Sequence, residues 1–272
     1  MILLNSNNKS DGILAKIKNF IIMPFYWAYE KKLWRQIKSK EMPKHIGIIL
    51  DGNRRYARER DMPPWYGHEV GAERVEQILK YCFELGIKII TLYAFSTENF
   101  NRPKEEVEKI MEIAKRKFQE LTNNPLIHKY QVKVKAIGRL QELPEDLQNV
   151  IREAEERTAN YNNFQINIAI SYGGRNEIVD CIRKIAEKVK NNEIKIEDIN
   201  ENIVENFLYT SGLPDPDVII RTSGEERLSG FLLWQSAYSE LIFLEVYWPS
   251  IRKIDLWRAI RTFQQRFRRF GK

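Results

Sequence analysis

The stretch His45-Ile-Gly-Ile-Ile-Leu-Asp51-Gly-Asn-Arg-Arg55-Tyr-Ala57 decides the fold class of this 272-residue chain. Its apolar run ends in an aspartate, as in a buried parallel strand that carries a carboxylate to the edge where α/β proteins bind ligands. The Gly, Asn and two arginines that follow predict a turn into a helix whose free N–H groups suit an anion. Together these groups predict a divalent metal bridging to a diphosphate. The alternative is that Asp51 only caps the helix.

Beyond this stretch, apolar strand-like runs alternate with amphipathic helical patterns. The predicted strands are 45–50, 87–95, 132–137, 164–171, 217–220 and 241–246, and the predicted helices are 66–85, 104–122, 145–161, 174–190, 199–208 and 254–269. Strands separated by crossover helices form a parallel sheet covered on both faces. The pattern therefore predicts one α/β domain over residues 41–272, with a mostly parallel six-stranded sheet flanked by helices. An N-terminal helical appendage over residues 1–40 precedes it.

Three polar, arginine-bearing loops follow three of these strands. They are Asp51-Gly-Asn-Arg-Arg55, Ser96-Thr-Glu-Asn-Phe-Asn-Arg102 and Arg221-Thr-Ser-Gly-Glu-Glu-Arg227-Leu-Ser229. Right-handed crossovers bring the carboxyl ends of parallel strands to one edge of the sheet. The three loops therefore predict a phosphate-binding active site at that edge.

Glu240 stands among Leu, Trp and Tyr residues just before the last predicted strand. A carboxylate in such surroundings is costly to bury unless it is paired or bound to a metal. One interpretation joins Glu240 to Asp51 in a two-carboxylate Mg²⁺ site that diphosphate oxygens and water complete. The other interpretation pairs Glu240 with an arginine.

The net charge of +7 is unevenly distributed. Residues 1–40 carry eight Lys and Arg against two Asp and Glu, and residues 251–272 carry eight against one, so the body between them is mildly acidic. A nucleic-acid-binding protein more often has a basic face on its body, and we therefore expect no nucleic-acid partner. Basic ends suit an anionic membrane surface or a subunit interface.

The two cysteines, Cys82 and Cys181, each stand alone in a helical pattern without a CxxC pair. This spacing indicates neither a zinc site nor a disulfide framework. We expect two small core residues and a chain that works in the reducing cytoplasm.

The appendage contains the ten-residue apolar run from Phe20 to Tyr29, flanked by basic residues. Ten residues are too few to span a bilayer, which needs about 20, and no small-residue cleavage site follows. Aromatic residues among basic ones are typical of a helix lying on a membrane, so peripheral membrane contact is one expectation. A helix packed on the domain itself is the other.

Five blocks of the sequence carry a resemblance to a known family. They are HIGIILDGNRRYA, GHEVGAERV (67–75), TLYAFSTENFNRP (91–103), ISYGGRNEI (170–178) and DVIIRTSGEERLSGFLLWQSAYSEL (217–241). In this order they resemble the cis-prenyltransferases, which include undecaprenyl and dehydrodolichyl diphosphate synthases. The resemblance implies an enzyme that adds isopentenyl diphosphate repeatedly to an allylic diphosphate, forming cis double bonds, with Mg²⁺ as cofactor.

The resemblance also assigns roles to residues. It makes Asp51 the Mg²⁺-linked aspartate at the allylic diphosphate and, with Asn99, a catalytic residue, and it makes Glu240 a second metal ligand. It assigns substrate binding to Gly52, Asn53, Arg54, Arg55, Tyr56, His68, Ser96, Thr97, Glu98, Phe100, Arg102, Arg221, Arg227, Leu228 and Ser229. The family's proton acceptor falls at Asn99, but an amide is a poor base. We therefore expect Asn99 to orient and a diphosphate oxygen to take the proton.

The chain departs from bacterial members of this family at four positions. Arg54 replaces a glycine, Tyr56 and Phe100 stand at tryptophan positions, and Pro64 stands at an arginine position. With the basic N-terminus, this pattern resembles the archaeal and eukaryotic branch. Archaeal members imply geranylgeranyl diphosphate as primer and a long, undecaprenyl-like product that is the precursor of a glycosyl carrier lipid. The alternative is a subunit of a hetero-oligomeric dehydrodolichyl diphosphate synthase-like complex that uses farnesyl diphosphate.

The last four residues, Arg269-Phe-Gly-Lys272, resemble the RxG element with which relatives reach a partner's active site. This implies a homodimer with twofold symmetry, and a solvated basic tail is the alternative.

A long product also has to leave its binding tunnel. Each buried CH₂ contributes about 0.8 kcal/mol, so ten isoprene units would exceed the roughly 20 kcal/mol ceiling on non-covalent affinity. Ala94 is a candidate wall residue of that tunnel, or an ordinary core alanine.

Overall fold

The computed structural model describes residues 24–266, which form one six-stranded sheet flanked by helices. The strands are β1 (His45–Ile49), β2 (Ile89–Ser96), β3 (Val132–Ile137), β4 (Phe164–Tyr172), β5 (Val218–Thr222) and β6 (Glu240–Leu244). Their order across the sheet is β3-β4-β2-β1-β5-β6, and every neighbouring pair is parallel. The predicted fold class and all six predicted strands are confirmed.

Helices connect the strands and cover both faces of the sheet. They are α1 (24–37), α2 (Asn53–Arg58), α3 (Pro64–Glu84), α4 (Lys104–Asn123), α5 (Pro125–Tyr130), α6 (Glu145–Thr158), α7 (Gly174–Lys190), α8 (Glu201–Phe207) and α9 (Lys253–Gln265). Six of them match the helices predicted between and after the strands. The prediction did not separate α5, because six residues are too few to show a helical period.

The strands alternate their side chains between two apolar layers, because successive residues of a strand point to opposite faces. Ile46 and Ile48 of β1 contribute to the main core cluster on one face. Ile49 joins Tyr93 and Phe231 in a second cluster on the other face. All five residues of β1 are buried, as expected for a central parallel strand. Cys82 and Cys181 are buried and free, which confirms them as small core residues.

The first described helix, α1, packs on the domain. Leu33 and Ile37 are fully buried in the main core. Trp34 packs against Trp257 of α9 with 5.1 Å between ring centroids, and Glu30 forms an ion pair with Lys253 at 2.8 Å. Of the two expectations for the appendage, packing on the domain is therefore confirmed for residues 24–37.

The same helix also exposes large aromatic side chains. Phe25 is 75% exposed and Trp27 is 62% exposed. Within residues 24–266, no helix combines the length and the apolar composition that a membrane crossing requires. Residues 1–23 and the RxG-like end at 269–272 lie outside the described residues.

Candidate active site

A cleft opens at the carboxyl ends of β1, β2 and β5, where the sequence predicted a site. It encloses about 1680 Å³ of space, part of it open to solvent. Eleven predicted site residues line it: Asp51, Gly52, Asn53, Arg54, Arg55, His68, Ser96, Asn99, Arg102, Arg221 and Ser229. The parallel sheet thus brings together side chains from three loops that are far apart in the sequence.

Asp51 is held from two sides. Its Oδ2 accepts hydrogen bonds from Nη2 and Nε of Arg221, at 2.7 and 3.3 Å. Its Oδ1 accepts from the N–H of Gly52 at 2.7 Å and lies 3.6 Å from Nη2 of Arg55. Gly52, not Asp51, occupies the cap position of α2, and no side chain caps that helix. The alternative that Asp51 is merely a helix cap is therefore wrong.

Gly52 needs to be a glycine for two reasons. Its φ of 102° lies in the left-handed region, which L side chains rarely adopt. A Cβ there would lie 2.9 Å from the ring of Tyr247 and 3.0 Å from Oγ of Ser223. The close approach of these neighbours brings the start of α2 against the loop after β5.

Arg221 connects the first and third loops of the cleft. It is only 4% exposed, and besides Asp51 it donates to Oγ of Ser229 at 2.9 Å and to the carbonyl of Arg227. Ser229 itself has a left-handed φ of 48°. A buried guanidinium with partners on both loops can orient anion-binding groups before a ligand arrives.

A second chain of charges lies at the outer rim of the cleft. Arg55 donates to Oε1 of Glu225 at 2.8 Å and to the carbonyl of Ser223 at 3.2 Å. The other carboxylate oxygen of Glu225 pairs with Arg227, which is mostly exposed. Both arginines lower the pKa of Glu225, Arg227 more than Arg55.

A buried carboxylate that sequence reasoning missed lies behind the cleft. Oε1 of Glu106 is 3.2 Å from Nη1 of Arg102, 3.4 Å from Nε2 of His68 and 3.5 Å from Nε of Arg54. Glu106 is 5% exposed, and its Oε2 is buried without a hydrogen-bond partner. Its three neighbours come from α2, α3 and the loop after β2, so only the tertiary structure brings them together.

The pKa values in this cluster follow from burial and charge. The hydrogen bond from His68, together with the nearby arginines, lowers the pKa of Glu106 despite its burial. Burial lowers the pKa of His68, and the hydrogen bond to Glu106 opposes that shift only in part. The cluster is therefore an anion that holds two guanidiniums and an imidazole at one wall of the cleft.

The packing of α2 on α3 also depends on a glycine. A Cβ on Gly67 would lie 1.9 Å from the carbonyl oxygen of Asn53, so α3 can approach the start of α2 only without a side chain there. The Nδ2 of Asn53 donates to the carbonyl of Leu50 at 3.0 Å, which ties α2 to the end of β1. Pro64 begins α3, where its missing N–H has no helical partner to lose.

The loop after β2 is shaped by Asn99. The N–H of Ser96 donates to Oδ1 of Asn99 at 3.1 Å. The amide oxygen of Asn99 is thus engaged in positioning the loop that forms one wall of the cleft.

Several predicted residues do not line the cleft. Tyr56 contacts Arg60 and Tyr66, Thr97 lies against Gly173, Phe100 packs edge-on against Phe95, and Leu228 packs on the second core cluster. Glu98 and Arg227 also lie outside the lining. The structure thus gives Tyr56, Thr97, Phe100 and Leu228 packing contacts beside the cleft.

The structure does not bring Glu240 to Asp51. Glu240 is the first residue of β6 and pairs in register with Val218, which pairs with Ile46 at the amino end of β1. Asp51 lies five residues beyond Ile46, so the two carboxylates are roughly 16 Å apart along the strand direction. Oε2 of Glu240 instead binds Nη1 of Arg266 at 2.7 Å. The two-carboxylate site within one chain is therefore wrong, and the ion-pair interpretation is correct.

An apolar cavity opens from the cleft and extends between α3, α4 and the sheet. It encloses about 1190 Å³, part of it open to solvent, and shares Leu50, Asn53, His68 and Ala94 with the cleft. The register of β2 against β4 shifts around Ala94, as at a bulge, and Ala94 is exposed to this space. Ala94 is therefore a wall residue and not a core alanine.

The structure adds two cleft residues to which the resemblance assigned no role. Arg58 and Tyr93 line the cleft, and the hydroxyl of Tyr93 lies 3.3 Å from the carbonyl of Ser229. Arg58 lies one helical turn after Arg54, so its spacing on α2 could have indicated it.

Comparison with known proteins identifies the family. A family model described as "putative undecaprenyl diphosphate synthase" matches residues 49–271. The chain is 52% identical to a geranylgeranyl-diphosphate-specific tritrans,polycis-undecaprenyl-diphosphate synthase of Methanocaldococcus jannaschii, covering 96% of this chain and 100% of that protein. It is 50% identical to the protein of the same name from Pyrococcus abyssi, covering 96% and 99%.

Solved structures support the same family assignment. The lavandulyl diphosphate synthase of Lavandula x intermedia, in complex with dimethylallyl diphosphate, superposes with a TM-score of 0.82 at 36% identity, covering 85% of this chain and 99% of that one. A probable undecaprenyl diphosphate synthase of Campylobacter jejuni gives 0.69 at 34% identity, with the same coverage. The resemblance to the archaeal members seen in the motifs is confirmed, and the chain belongs to the cis-prenyltransferase family.

Proposed function

We propose that this chain condenses isopentenyl diphosphate repeatedly, in cis, onto geranylgeranyl diphosphate to give a long polyprenyl diphosphate. One observation carries the proposal: a cleft lined by Asp51 and several arginines opens directly into an apolar cavity. Such a site fits a ligand with a diphosphate head and a hydrocarbon tail. The names of the archaeal relatives support this primer and do not favour the farnesyl-using, hetero-oligomeric alternative.

The two diphosphates would occupy opposite sides of Asp51. The allylic diphosphate would lie over the start of α2, where the N–H groups of the first turn and the side chains of Arg54 and Arg55 face the cleft. The diphosphate of isopentenyl diphosphate would lie at Arg221 and Ser229. This division follows the family's motif and fits the Arg221 contacts described above.

The donor set suits Mg²⁺. Within the described part of the chain, no three His, Cys, Asp or Glu side chains form a metal site, and Asp51 lines the cleft at the end of β1. Mg²⁺ is commonly bound by one or two carboxylates together with substrate phosphates. Asp51 would hold the ion against the allylic diphosphate, and bound Mg²⁺ would neutralise charge that develops on the leaving diphosphate.

The reaction transfers an allylic group. The C–O bond of the primer breaks, the diphosphate leaves with its electron pair, and the alkene of isopentenyl diphosphate attacks the allylic carbon. Arg54, Arg55 and the N–H groups of α2 stabilise the leaving charge. The carbocation then loses a proton, and a diphosphate oxygen accepts it, because Oδ1 of Asn99 already accepts from Ser96.

Three further properties complete the proposal. The product would be the precursor of a glycosyl carrier lipid. The enzyme would be a homodimer with twofold symmetry, in which residues 269–272 reach the partner's cleft. It would also contact membranes peripherally through the exposed aromatic and basic side chains of α1.

The direct test uses the purified chain with Mg²⁺, radiolabelled isopentenyl diphosphate and either geranylgeranyl or farnesyl diphosphate. We expect long products with newly formed cis double bonds and a higher kcat/KM with geranylgeranyl diphosphate. Products with trans geometry, or no elongation of either primer, would contradict the proposed function.

A further inference from the structure

The apolar cavity reaches the surface at a second place, far from the diphosphate cleft. Its lining includes the exposed residues Glu76 and Lys80 of α3 and Glu120 of α4. Both helices lead away from the cleft, because α3 begins at Pro64, a cleft residue, and α4 begins just after Arg102. At 1.5 Å per residue, Glu76 lies roughly 18 Å along α3 from Pro64. The cavity is therefore a passage with two ends.

A groove on the outer surface shares its rim with this second end. Glu76, Glu120, Asn124 and Leu126 line both the cavity and the groove. A hydrogen bond from Nδ2 of Asn124 to Oε1 of Glu76, at 3.1 Å, crosses this rim. A single hydrogen bond between groups at the surface adds little net stability, so it can open readily.

The size of the cavity makes a second opening necessary for a long product. At about 30 Å³ per carbon, the volume of one water in the liquid, a tail of about 20 carbons needs roughly 600 Å³ and one of about 55 carbons roughly 1650 Å³. The cavity encloses about 1190 Å³, including space open to solvent. Even with that open space counted, the cavity cannot hold the whole tail of an undecaprenyl-length product.

We propose that the growing tail leaves the cavity through this second opening, bounded by Glu76, Lys80, Glu120, Asn124 and Leu126. The inference rests on the proposed function. Each new unit enters between the diphosphate head and the existing tail, so the oldest end of the tail moves deeper at every addition. That end reaches the second opening first, while the head stays in the cleft.

The opening lies on the side of the molecule that carries the exposed aromatic side chains of α1. Glu76, Lys80 and Glu84 share one face of α3, because they are spaced by four residues. Glu84 lines a groove together with Trp27 and Trp34 of α1. Glu76 and Glu84 are two helical turns, or roughly 12 Å, apart along α3, so the tail would emerge on the side of the molecule where Trp27 is exposed. A lipid surface held there would receive the tail without exposing it to water.

The test places a bulky group at the opening and leaves the cleft untouched. In Glu120→Cys, the new thiol is labelled with a long polyethylene glycol maleimide or with small N-ethylmaleimide. Labelling is selective, because burial raises the pKa of Cys82 to about 12 and also raises the pKa of the buried Cys181. Glu112→Cys, two turns earlier on the same helix and exposed, is the matched control.

We expect the polyethylene glycol adduct of Glu120→Cys to lose most of its full-length product and to accumulate shorter intermediates. Addition of the first isopentenyl unit, measured in a single turnover, should be unchanged. The N-ethylmaleimide adduct and both adducts of Glu112→Cys should keep the product lengths of their unlabelled forms. Unchanged product length and release rate in the polyethylene glycol adduct of Glu120→Cys would overturn the proposal that the tail leaves through the second opening.

A second measurement detects the tail itself. An environment-sensitive fluorophore on Glu120→Cys should shift its emission to the blue during elongation, after a delay of several additions, whereas the same fluorophore on Glu112→Cys should not. Absence of the shift while long product forms would also overturn the proposal. Absence of elongation in the unmodified chain would instead contradict the proposed function, so the two failures are distinguishable.

Discussion

The guanidinium of Arg221 binds the same oxygen of Asp51 through two nitrogens, with Nη2 at 2.7 Å and Nε at 3.3 Å from Oδ2. The two residues lie on and after neighbouring strands, β5 and β1, 170 positions apart in the sequence. Because Arg221 is almost completely buried, the pair fixes the carboxylate relative to the loop after β5. The acidic and basic halves of the cleft are therefore oriented before any ligand binds.

Replacing Asp51 should abolish catalysis. We expect Asp51→Ala to lower kcat/KM by about 10²–10³ or more, as removal of a preorganised electrostatic group does. The fold should persist, because Asp51 follows the strand and is partly exposed. Asp51→Asn keeps an oxygen that can accept a hydrogen bond from Arg221. A similar loss of kcat/KM in that variant would therefore show that catalysis needs the negative charge of Asp51 and not only its contact with Arg221. Steady-state kinetics with Mg²⁺ and thermal melting are the measurements, and near-normal activity would contradict the assignment.

Glu106 should act as a positioning residue for the cations of the cleft. Glu106→Ala removes the acceptor shared by Arg54, His68 and Arg102. We expect KM for the allylic diphosphate to rise about tenfold with a smaller change in kcat, since hydrogen bonds to charged groups contribute roughly 1.5–3 kcal/mol.

Two variants control this prediction. Glu106→Gln retains an oxygen acceptor and should restore much of the affinity, and Glu112→Ala, an exposed carboxylate on the same helix, should leave KM unchanged. A lowered melting temperature with unchanged KM in Glu106→Ala would show that Glu106 only supports the fold.

Acid should destabilise the protein through His45. Its Nδ1 lies 2.7 Å from the carbonyl oxygen of Pro214 and its Nε2 lies 2.7 Å from Oγ1 of Thr91, and burial lowers its pKa. Below the unfolded-state value of about 6.5 the unfolded chain binds the proton and the folded chain does not, so unfolding becomes easier by up to about 1.4 kcal/mol per pH unit. The free energy of unfolding stops falling on account of His45 once the pH is below the lowered pKa of His45 in the folded chain.

Denaturant unfolding at several pH values measures this effect. The contribution of His45 to the free energy of unfolding should be constant above about pH 6.5 and decline below it. In His45→Gln the slope of that segment should be smaller than in the unmodified chain, and His68, whose pKa burial also lowers, contributes to the slope that remains. An unchanged slope in the variant would contradict the role of His45.

Membrane contact is best tested with substitutions on α1 and not by truncation. Deleting residues 1–38 would remove Leu33 and Ile37 from the core and destabilise the protein. The double variant Phe25→Ser/Trp27→Ser changes only exposed side chains, and we expect it to reduce cosedimentation with anionic vesicles. Ile196→Ser, at an equally exposed apolar residue away from α1, is the control. Equal vesicle binding by all three proteins would exclude this role for α1.

The RxG-like end should matter for activity and not for folding. Deletion of residues 269–272 should raise KM for isopentenyl diphosphate and lower kcat, because we propose that this element reaches the partner's cleft. Thermal stability should be preserved, since the buried residues of α9 end at Ile260. Kinetics and gel filtration test the prediction, and a fully active monomer would refute it.

The sequence by itself determined the fold class and the edge of the sheet where the cleft lies. Local patterns carry that information: the apolar run before Asp51 reads as a buried strand, and helical periodicity over 104–122 or 174–190 reads as a covering helix. Polar loops after strands then had to meet at one edge, because parallel strands end together. The resemblance of five sequence blocks to a known family added the family assignment, because most of the predicted cleft residues lie within those blocks.

Only the tertiary structure decided which of those residues touch. Glu106 lies in an ordinary helical pattern, and nothing local distinguishes it from the exposed Glu112 on the same helix. Glu240 lies in a family motif, yet strand register places it at the opposite edge from Asp51. The physical reason is the same in both cases: strand order, register and helix packing set the distances between residues remote in sequence, and local propensity does not encode those distances.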